Sequence, residues 1–112
     1  MRGFCRALRR SERHLRMTDT YELRVRTFRM GTEHDVVAKI LEEASEAHMA
    51  WRIYRDSAED MSHVVDVLTL LDLADELADC ITACCNLAAR YDLDLQAAID
   101  RVERHNRERG RY

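Results

Sequence analysis

Residues 62–90 read SHVVDVLTLLDLADELADCITACCNLAAR, a stretch that contains neither proline nor glycine. Apolar side chains recur in it at intervals of three and four residues, which is the period of an α-helix with a buried face. Further apolar side chains fall outside that face, so the helix needs more than one neighbour to bury it. The main stripe comprises Val64, Val65, Leu68, Leu71, Ala74, Ala78, Ile81 and Cys85, and the other faces carry Leu70, Leu73, Leu77, Cys84 and Leu87. We therefore predict a long buried helix that also mediates oligomerisation.

A second long helix is predicted upstream, from Thr32 to about Arg55. Gly31 ends the preceding segment, and Thr32 is the expected N-cap because acidic residues follow it in the first turn. The positions expected to face the core are Val37, Ile40, Leu41, Ala44, His48 and Trp51. Residues 56–60 form a short polar connection, so the two long helices are expected to run antiparallel.

The rest of the chain is predicted to form shorter elements. We expect a short helix over residues 20–29, a turn at residues 91–93, and a last helix that begins after an Asp94 N-cap and ends near Asn106. The 112 residues include no proline and three glycines, which favours a single helical domain. The predicted fold is all-α: a bundle of about four helices, with two long antiparallel helices, that assembles as an oligomer.

Charge is distributed unevenly along the chain. Residues 1–16 carry six arginines and one acidic residue, whereas the remainder carries 12 basic and 20 acidic side chains. We predict a disordered basic arm over residues 1–17, or a translation start at Met17, and a functional domain over residues 18–112; contact of the arm with nucleic acid or anionic lipid is the alternative. The acidic body argues against nucleic-acid binding, because phosphate contacts supply most of that affinity. No apolar run approaches the ~18 residues that span a membrane, so the expected location is the cytoplasm.

Carboxylates on the two long helices form two small groups. Glu42, Glu43 and Glu46 cover an arc of about 100° on the first helix. Glu76 and Asp79 are neighbours at i, i+3 on the second. Antiparallel helices can bring the two groups together near their midpoints. Oxygen ligands of this kind are those that Mg²⁺ prefers, so the groups are candidate metal ligands.

The charged residues near these carboxylates affect whether they are interpreted as metal ligands. Residues 56–89 contain eight acidic side chains and no lysine or arginine. Carboxylates at helical spacing repel one another and raise one another's pKa unless a cation binds among them. On the first helix a solvated acidic face is the alternative, because Lys39 can pair with Glu42 or Glu43.

The sequence Glu42-Glu43-Ala-Ser-Glu46, followed by Glu76-Leu-Ala-Asp79, resembles the EExxE … ExxD signature of the MazG-like all-α nucleoside triphosphate pyrophosphohydrolases. DELAD at residues 75–79, LAARYDLDLQAA at residues 87–98 and the Asn-x-x-Arg ending at residues 106–109 are similar to further elements of that family. Asp92 stands where glycine is more common. The similarity covers residues 32–110. It implies a domain that hydrolyses nucleoside triphosphates to a monophosphate and pyrophosphate, with Mg²⁺ or Mn²⁺ as cofactor, in the clearance of nucleotide pools.

The resemblance also implies roles for individual residues. The metal ligands would be Glu43, Glu46, Glu76 and Asp79, and the catalytic residues Glu42 and Glu43, with Glu42 a further ligand or the group that orients the attacking water. Basic or aromatic groups are needed to hold the nucleotide, and the candidates are Lys39, Asn86, Arg90, Asn106, Arg109 and Trp51. A surface role is the alternative for the polar candidates, and core packing is the alternative for Trp51.

Two other functions compete with hydrolysis as explanations of the acidic motif. A non-catalytic helical interaction module that retains the acidic motif as a docking surface remains open. A di-iron protein does not fit, because that site needs Glu-x-x-His pairs and the spacing of Glu43 and His48 differs. The preferred nucleotide and the choice between dimer and tetramer are not determined by the sequence.

Overall fold

The computed structural model describes residues 20–57 and 63–112 of the chain. These residues form three helices, α1 (Glu33–Ser57), α2 (His63–Arg90) and α3 (Leu95–Glu108), and no strand. The predicted all-α class is confirmed for this part of the chain. The predicted basic arm, residues 1–17, and part of the connection between the long helices lie outside the described residues. None of the three helices has an apolar stretch long enough to cross a bilayer.

α1 begins with a reciprocal pair of hydrogen bonds between Thr32 and Asp35. The Thr32 hydroxyl accepts from the Asp35 backbone N–H at 3.3 Å, and the Asp35 carboxylate accepts from the Thr32 N–H at 2.8 Å. The two bonds satisfy donors that the helix itself leaves unpaired. Gly31 precedes them with a φ of +38°, and a Cβ at that position would collide with the Asp35 carboxylate. The predicted N-cap is confirmed, and it requires glycine before it.

α1 and α2 pack side by side and run antiparallel. Val36, near the start of α1, lines one cleft with Asn86, near the end of α2. Ala50, near the end of α1, lines another cleft with Thr69, near the start of α2, so the two helices run in opposite directions. The buried apolar residues are mostly small: Val36, Ala47, Ala50, Ala83 and Ala88. Small side chains at a contact let two helix axes approach closely. The core between the two helices is therefore built mainly of small side chains.

The face of α1 that contacts α2 is not the predicted one. Its buried residues are Val36, Glu43, Ala47 and Ala50, with Ile40 half-buried beside them. The rest of the predicted core stripe is exposed: Val37, Leu41, Ala44, His48 and Trp51. The prediction was wrong because it assigned the bulkiest apolar positions to the core, whereas the true interface is built from alanines and a buried carboxylate.

α2 shows the same reversal. Leu70, Leu73 and Leu87, which the pattern placed on secondary faces, are half-buried. Most of the predicted main stripe is exposed, namely Val64, Val65, Leu68, Leu71, Ala74, Ala78 and Ile81. Each long helix thus presents an apolar face that no other described element covers.

α2 ends in a turn that the local sequence closes. The Leu93 N–H donates to the Ala88 carbonyl at 2.9 Å, and the Asp92 N–H donates to the Ala89 carbonyl at 3.2 Å. This is the Schellman arrangement, in which one residue adopts a left-handed conformation, and Asp92 does so with a φ of +51°. The predicted turn at residues 91–93 is confirmed.

α3 begins at the predicted cap, because the Asp94 carboxylate accepts from the Ala97 N–H at 3.0 Å. Extensive packing among the described elements is confined to α1 and α2, and α3 has no buried residue. Its apolar Ile99 and Val102 line a groove with Tyr21 and Tyr112 instead.

Residues 20–30, which we call the N-terminal segment, are not helical, so the short helix predicted there is wrong. The Phe28 N–H donates to Oδ1 of the buried Asn86 at 2.9 Å. This bond joins the segment to the last turns of α2, fifty-eight residues away in sequence. The described residues therefore contain three helices where about four were expected.

Candidate metal centre

Three carboxylates meet at the middle of the interface between α1 and α2. One oxygen from each of Glu43, Glu46 and Glu76 lies within 4.8 Å of the other two. Glu43 is buried, Glu76 is half-buried and Glu46 is exposed, so the cluster lies between the helices and opens to solvent on one side. The structure thus brings together members of both acidic groups that the sequence singled out.

Two oxygens of this cluster are buried without a hydrogen-bond partner. They are Oε2 of Glu43 and Oε2 of Glu76. Leaving a buried polar atom unpaired costs about 1–3 kcal/mol, and more for a charged group. A divalent cation bound by Glu43 and Glu76 would supply the missing partner, and an all-oxygen donor set suits Mg²⁺ or Mn²⁺. The residues therefore fit a hard divalent ion.

The same proximity changes the protonation of the cluster. Glu43 raises the pKa of Glu46, first by charge repulsion and then by a hydrogen bond that favours the protonated form, and desolvation and Glu76 act in the same direction. A group whose pKa is raised by neighbouring carboxylates gains most from a bound cation. The electrostatics and the unpaired oxygens therefore indicate the same kind of ligand.

Lys39 borders the cluster on the α1 side. Its Nζ lies 3.0 Å from Oε1 of Glu43 and 3.1 Å from Oε1 of Glu42. These two carboxylates, Glu43 first, raise the pKa of the Lys39 amine, so it carries a positive charge at neutral pH. Lys39 neutralises one oxygen of Glu43 and leaves the other to the cluster.

Glu42 and Asp79 lie outside the group of three. Glu42 is exposed and bound by Lys39, and Asp79 is exposed on α2, nearly one turn beyond Glu76. Neither belongs to the carboxylates that meet within 4.8 Å. Their roles in catalysis and metal binding stay predictions.

A cleft of about 400 Å³ opens beside the cluster. Glu46, Glu76 and Asp72 form its polar wall. The remainder is lined by Met49, Ala50, Ile53 and Thr69. A largely apolar cleft with a few polar groups is typical of a small-molecule site. The sequence did not reveal it, because Met49 and Ile53 lie off the predicted stripe, and their i, i+4 spacing just after the acidic turn was the available signal.

The predicted nucleotide-binding residues are dispersed. Lys39 contacts the cluster, whereas Asn86 and Arg90 line a different cleft together with the N-terminal segment. Asn106 and Arg109 contact each other at the C-terminal end of α3, where Nη2 of Arg109 donates to Oδ1 of Asn106 at 2.7 Å. Only Lys39 among these residues adjoins the three carboxylates in the described chain.

Trp51 lies on the outer face of α1, with 43% of its surface exposed. Its ring stacks on His48 with centroids 5.9 Å apart, and the Arg55 guanidinium lies 4.9 Å from the ring centre. Core packing, which the pattern favoured for Trp51, is therefore wrong for a single chain. The cation–π contact fixes the ring on the surface.

Comparison with known families identifies the chain. The model of the family described as phosphoribosyl-ATP pyrophosphohydrolase matches residues 10–106. Neither the curated proteins nor the solved structures include a significant match. That family is part of the MazG-like all-α nucleoside triphosphate pyrophosphohydrolases, is typically metal-dependent, and implies pyrophosphohydrolase activity in the broad sense. The resemblance seen in the sequence is thereby confirmed, and the chain belongs to the phosphoribosyl-ATP pyrophosphohydrolase family.

Proposed function

We propose that the chain hydrolyses a nucleoside triphosphate between its α- and β-phosphates, with Mg²⁺ or Mn²⁺ held by Glu43, Glu46 and Glu76. One observation carries this proposal. Oε2 of Glu43 on α1 and Oε2 of Glu76 on α2 are buried without a hydrogen-bond partner in a cluster of three carboxylates, which adjoins a cleft of about 400 Å³. Asp79 completes the ligand set in this proposal.

The chain's own residues divide the work of the reaction. When bound, the cation offsets the charge of the triphosphate and polarises the phosphate under attack. Glu42, exposed at the edge of the cluster, accepts a proton from the attacking water. The water oxygen bonds to the α-phosphorus, the bond from that phosphorus to the bridging oxygen breaks, and pyrophosphate leaves. Lys39, already paired with Glu42 and Glu43, stabilises the departing negative charge.

The cleft beside the cluster receives the nucleoside. Met49 and Ile53 offer an apolar surface to the base, and Thr69 and Asp72 offer polar groups to the sugar. The name of the matched family makes phosphoribosyl-ATP one candidate within the nucleoside triphosphate class. The proposed setting is the cytoplasm, where these nucleotides are found.

Pyrophosphate release tests the proposal. The full chain is incubated with common NTPs, dNTPs and phosphoribosyl-ATP, each with Mg²⁺ or Mn²⁺. We expect Glu43→Gln and Glu76→Gln each to lower kcat at least ~100-fold at unchanged helical content, since loss of a ligand exceeds the 10–100-fold effect of an outer partner. Glu103→Gln on α3 is the matched control and should hydrolyse like wild type. If no nucleotide releases pyrophosphate with either metal, the non-catalytic interaction module replaces this proposal.

A further inference from the structure

The cleft between the N-terminal segment and the end of α2 carries the opposite charge to the metal centre. It has a volume of about 740 Å³. Arg29 and Arg90 both line it, and no acidic residue does. Phe28, Gly31 and Asn86 contribute to its walls. Two exposed arginines therefore line one cavity that has no carboxylate among its lining residues.

Neither guanidinium has a carboxylate at ion-pair distance in the described part of the chain. Arg55 and Arg107 do have such partners, Asp56 and Glu103, each on its own helix or next to it. Asp35 approaches Gly31 at the edge of the cleft, but its carboxylate is engaged by the Thr32 N–H. Two cationic side chains that line one cavity repel each other, and a bound anion offsets that repulsion.

Asn86 adds a neutral donor to the same cavity. Its side chain is 6% exposed, and its Oδ1 is occupied by the Phe28 N–H. The side-chain amide therefore has its oxygen satisfied and its two N–H donors left over, with no acceptor among the described residues. Donors arriving from the N-terminal segment and from α2 suit a phosphate, whose terminal oxygens point in several directions, better than a planar carboxylate.

We propose that this cleft is a phosphate-binding site distinct from the metal centre, in which Arg29 and Arg90 bind the phosphate and the Asn86 amide donates to it. Asn86 follows Glu76 by ten residues, or about 15 Å along the helix, and Val36 precedes Glu43 by about 10 Å. The phosphate held here is therefore not the one that water attacks. It is either a second phosphate of the bound substrate, which rests on the proposed function, or a free phosphate ion, which does not.

Titration of the full chain with inorganic phosphate, without metal or nucleotide and at constant ionic strength, tests the site. We expect saturable NMR shifts of the backbone amides at residues 29–31 and 86–90. Arg29→Gln and Arg90→Gln should each weaken binding at least tenfold, and Arg29→Lys should weaken it less. Arg52→Gln, an exposed arginine of α1 outside the cleft, should bind like wild type. Shifts that do not saturate, or equal binding by all variants while their circular dichroism is unchanged, would overturn the proposal.

Steady-state pyrophosphate release then distinguishes the two sources of the phosphate. If it belongs to the substrate, Arg29→Gln raises KM at least tenfold and changes kcat by less than about twofold, since uniform binding is lost. If a free ion is the ligand, Arg29→Gln abolishes phosphate binding and leaves KM unchanged. If the chain hydrolyses no nucleotide, only the proposed function is contradicted. The phosphate site is tested separately, because the phosphate titration does not depend on catalysis.

Discussion

At the scale of single residues, Asp92 adopts a backbone conformation that a residue with a side chain disfavours. Its φ of +51° lies in the left-handed region, which costs a residue with a Cβ about 1–2 kcal/mol relative to glycine. The turn has to adopt this conformation because two backbone hydrogen bonds close α2 there. This explains physically why glycine is common at the corresponding position of similar sequences.

Asp92→Gly should therefore stabilise the protein. We expect a gain of about 0.5–1 kcal/mol in the free energy of unfolding, since relief of the left-handed strain exceeds the added entropy of the unfolded chain. Asp94→Ala, two residues later, should instead lose about 1 kcal/mol because it removes the N-cap of α3. Urea unfolding of both variants checks the pair. A loss of stability in Asp92→Gly would contradict the assignment of strain to this residue.

The contribution of Asp35 to the stability of the start of α1 depends on pH. The Thr32 backbone N–H, and then the Thr32 hydroxyl, lower the pKa of this carboxyl below its ordinary value of 3.8. The folded state thus holds the ionised form more tightly than the unfolded state does. The resulting stabilisation is complete above the unfolded pKa and is lost as pH falls through the lowered folded pKa. Wild type should lose more stability than Asp35→Asn between about pH 5 and pH 2, as thermal melts followed by circular dichroism can measure. Parallel melting curves would show that the cap does not respond to pH.

The pKa of Glu46 is shifted in the opposite direction to that of Asp35, because neighbouring carboxylates raise it. Glu46→Gln should raise the melting temperature of the metal-free protein, since it removes one of three mutually repelling groups. It should also weaken Mg²⁺ or Mn²⁺ binding at least ~10-fold, because a ligand is lost. Melts in chelator and in increasing metal check both effects, with Glu103→Gln as control. Equal metal responses in wild type and Glu46→Gln would remove Glu46 from the ligand set.

At the scale of elements, the helix ends were predictable and the buried faces were not. Thr32, Asp94 and the turn after Arg90 act through hydrogen bonds to residues a few positions away, so local sequence contains their signal. The face of α1 that meets α2 depends on which helix packs against it. A pattern that counts only apolar side chains could not place the buried Glu43 there.

The helix predicted for the N-terminal segment is wrong for a related reason. Its backbone is fixed by a hydrogen bond from Phe28 to Asn86, and no local pattern reports a partner so distant in sequence. The same bond explains why Asn86, singled out for the nucleotide, is also structural. The acidic cluster was predictable because both of its motifs lie on long helices whose antiparallel pairing follows from a short connection. The adjoining cleft was not predictable from the sequence, because it is formed by a gap between side chains of α1 and α2.

At the scale of the whole molecule, the described chain leaves many large apolar side chains in contact with solvent. Leu41 on α1 is 73% exposed, and Leu68 on α2 is 54% exposed. Large exposed apolar patches mark interaction surfaces in many proteins. Together with the helical pattern, they support the proposal that the chain forms a dimer or tetramer through α1 and α2.

Light scattering after size exclusion tests this assembly. We expect the wild type at a multiple of 13.2 kDa, and Leu41→Glu to weaken association by about 100-fold, because a buried leucine contributes ~1.5–3 kcal/mol and a buried charge opposes the contact. Leu93→Glu changes a leucine of similar exposure in the turn after α2 and should leave the mass unchanged. A wild-type mass of one chain at micromolar concentration would rule out the proposed oligomer.

Because Glu43 and Glu46 come from α1 and Glu76 from α2, any cation that occupies this centre acts as a cross-link in a core that has few large side chains. Ligand binding that is confined to the native state stabilises it by an amount that rises with the logarithm of the ligand concentration relative to Kd, about 2.7 kcal/mol at a hundredfold excess over Kd. The supply of divalent ions would then affect how long each molecule stays folded as well as the rate of the proposed hydrolysis.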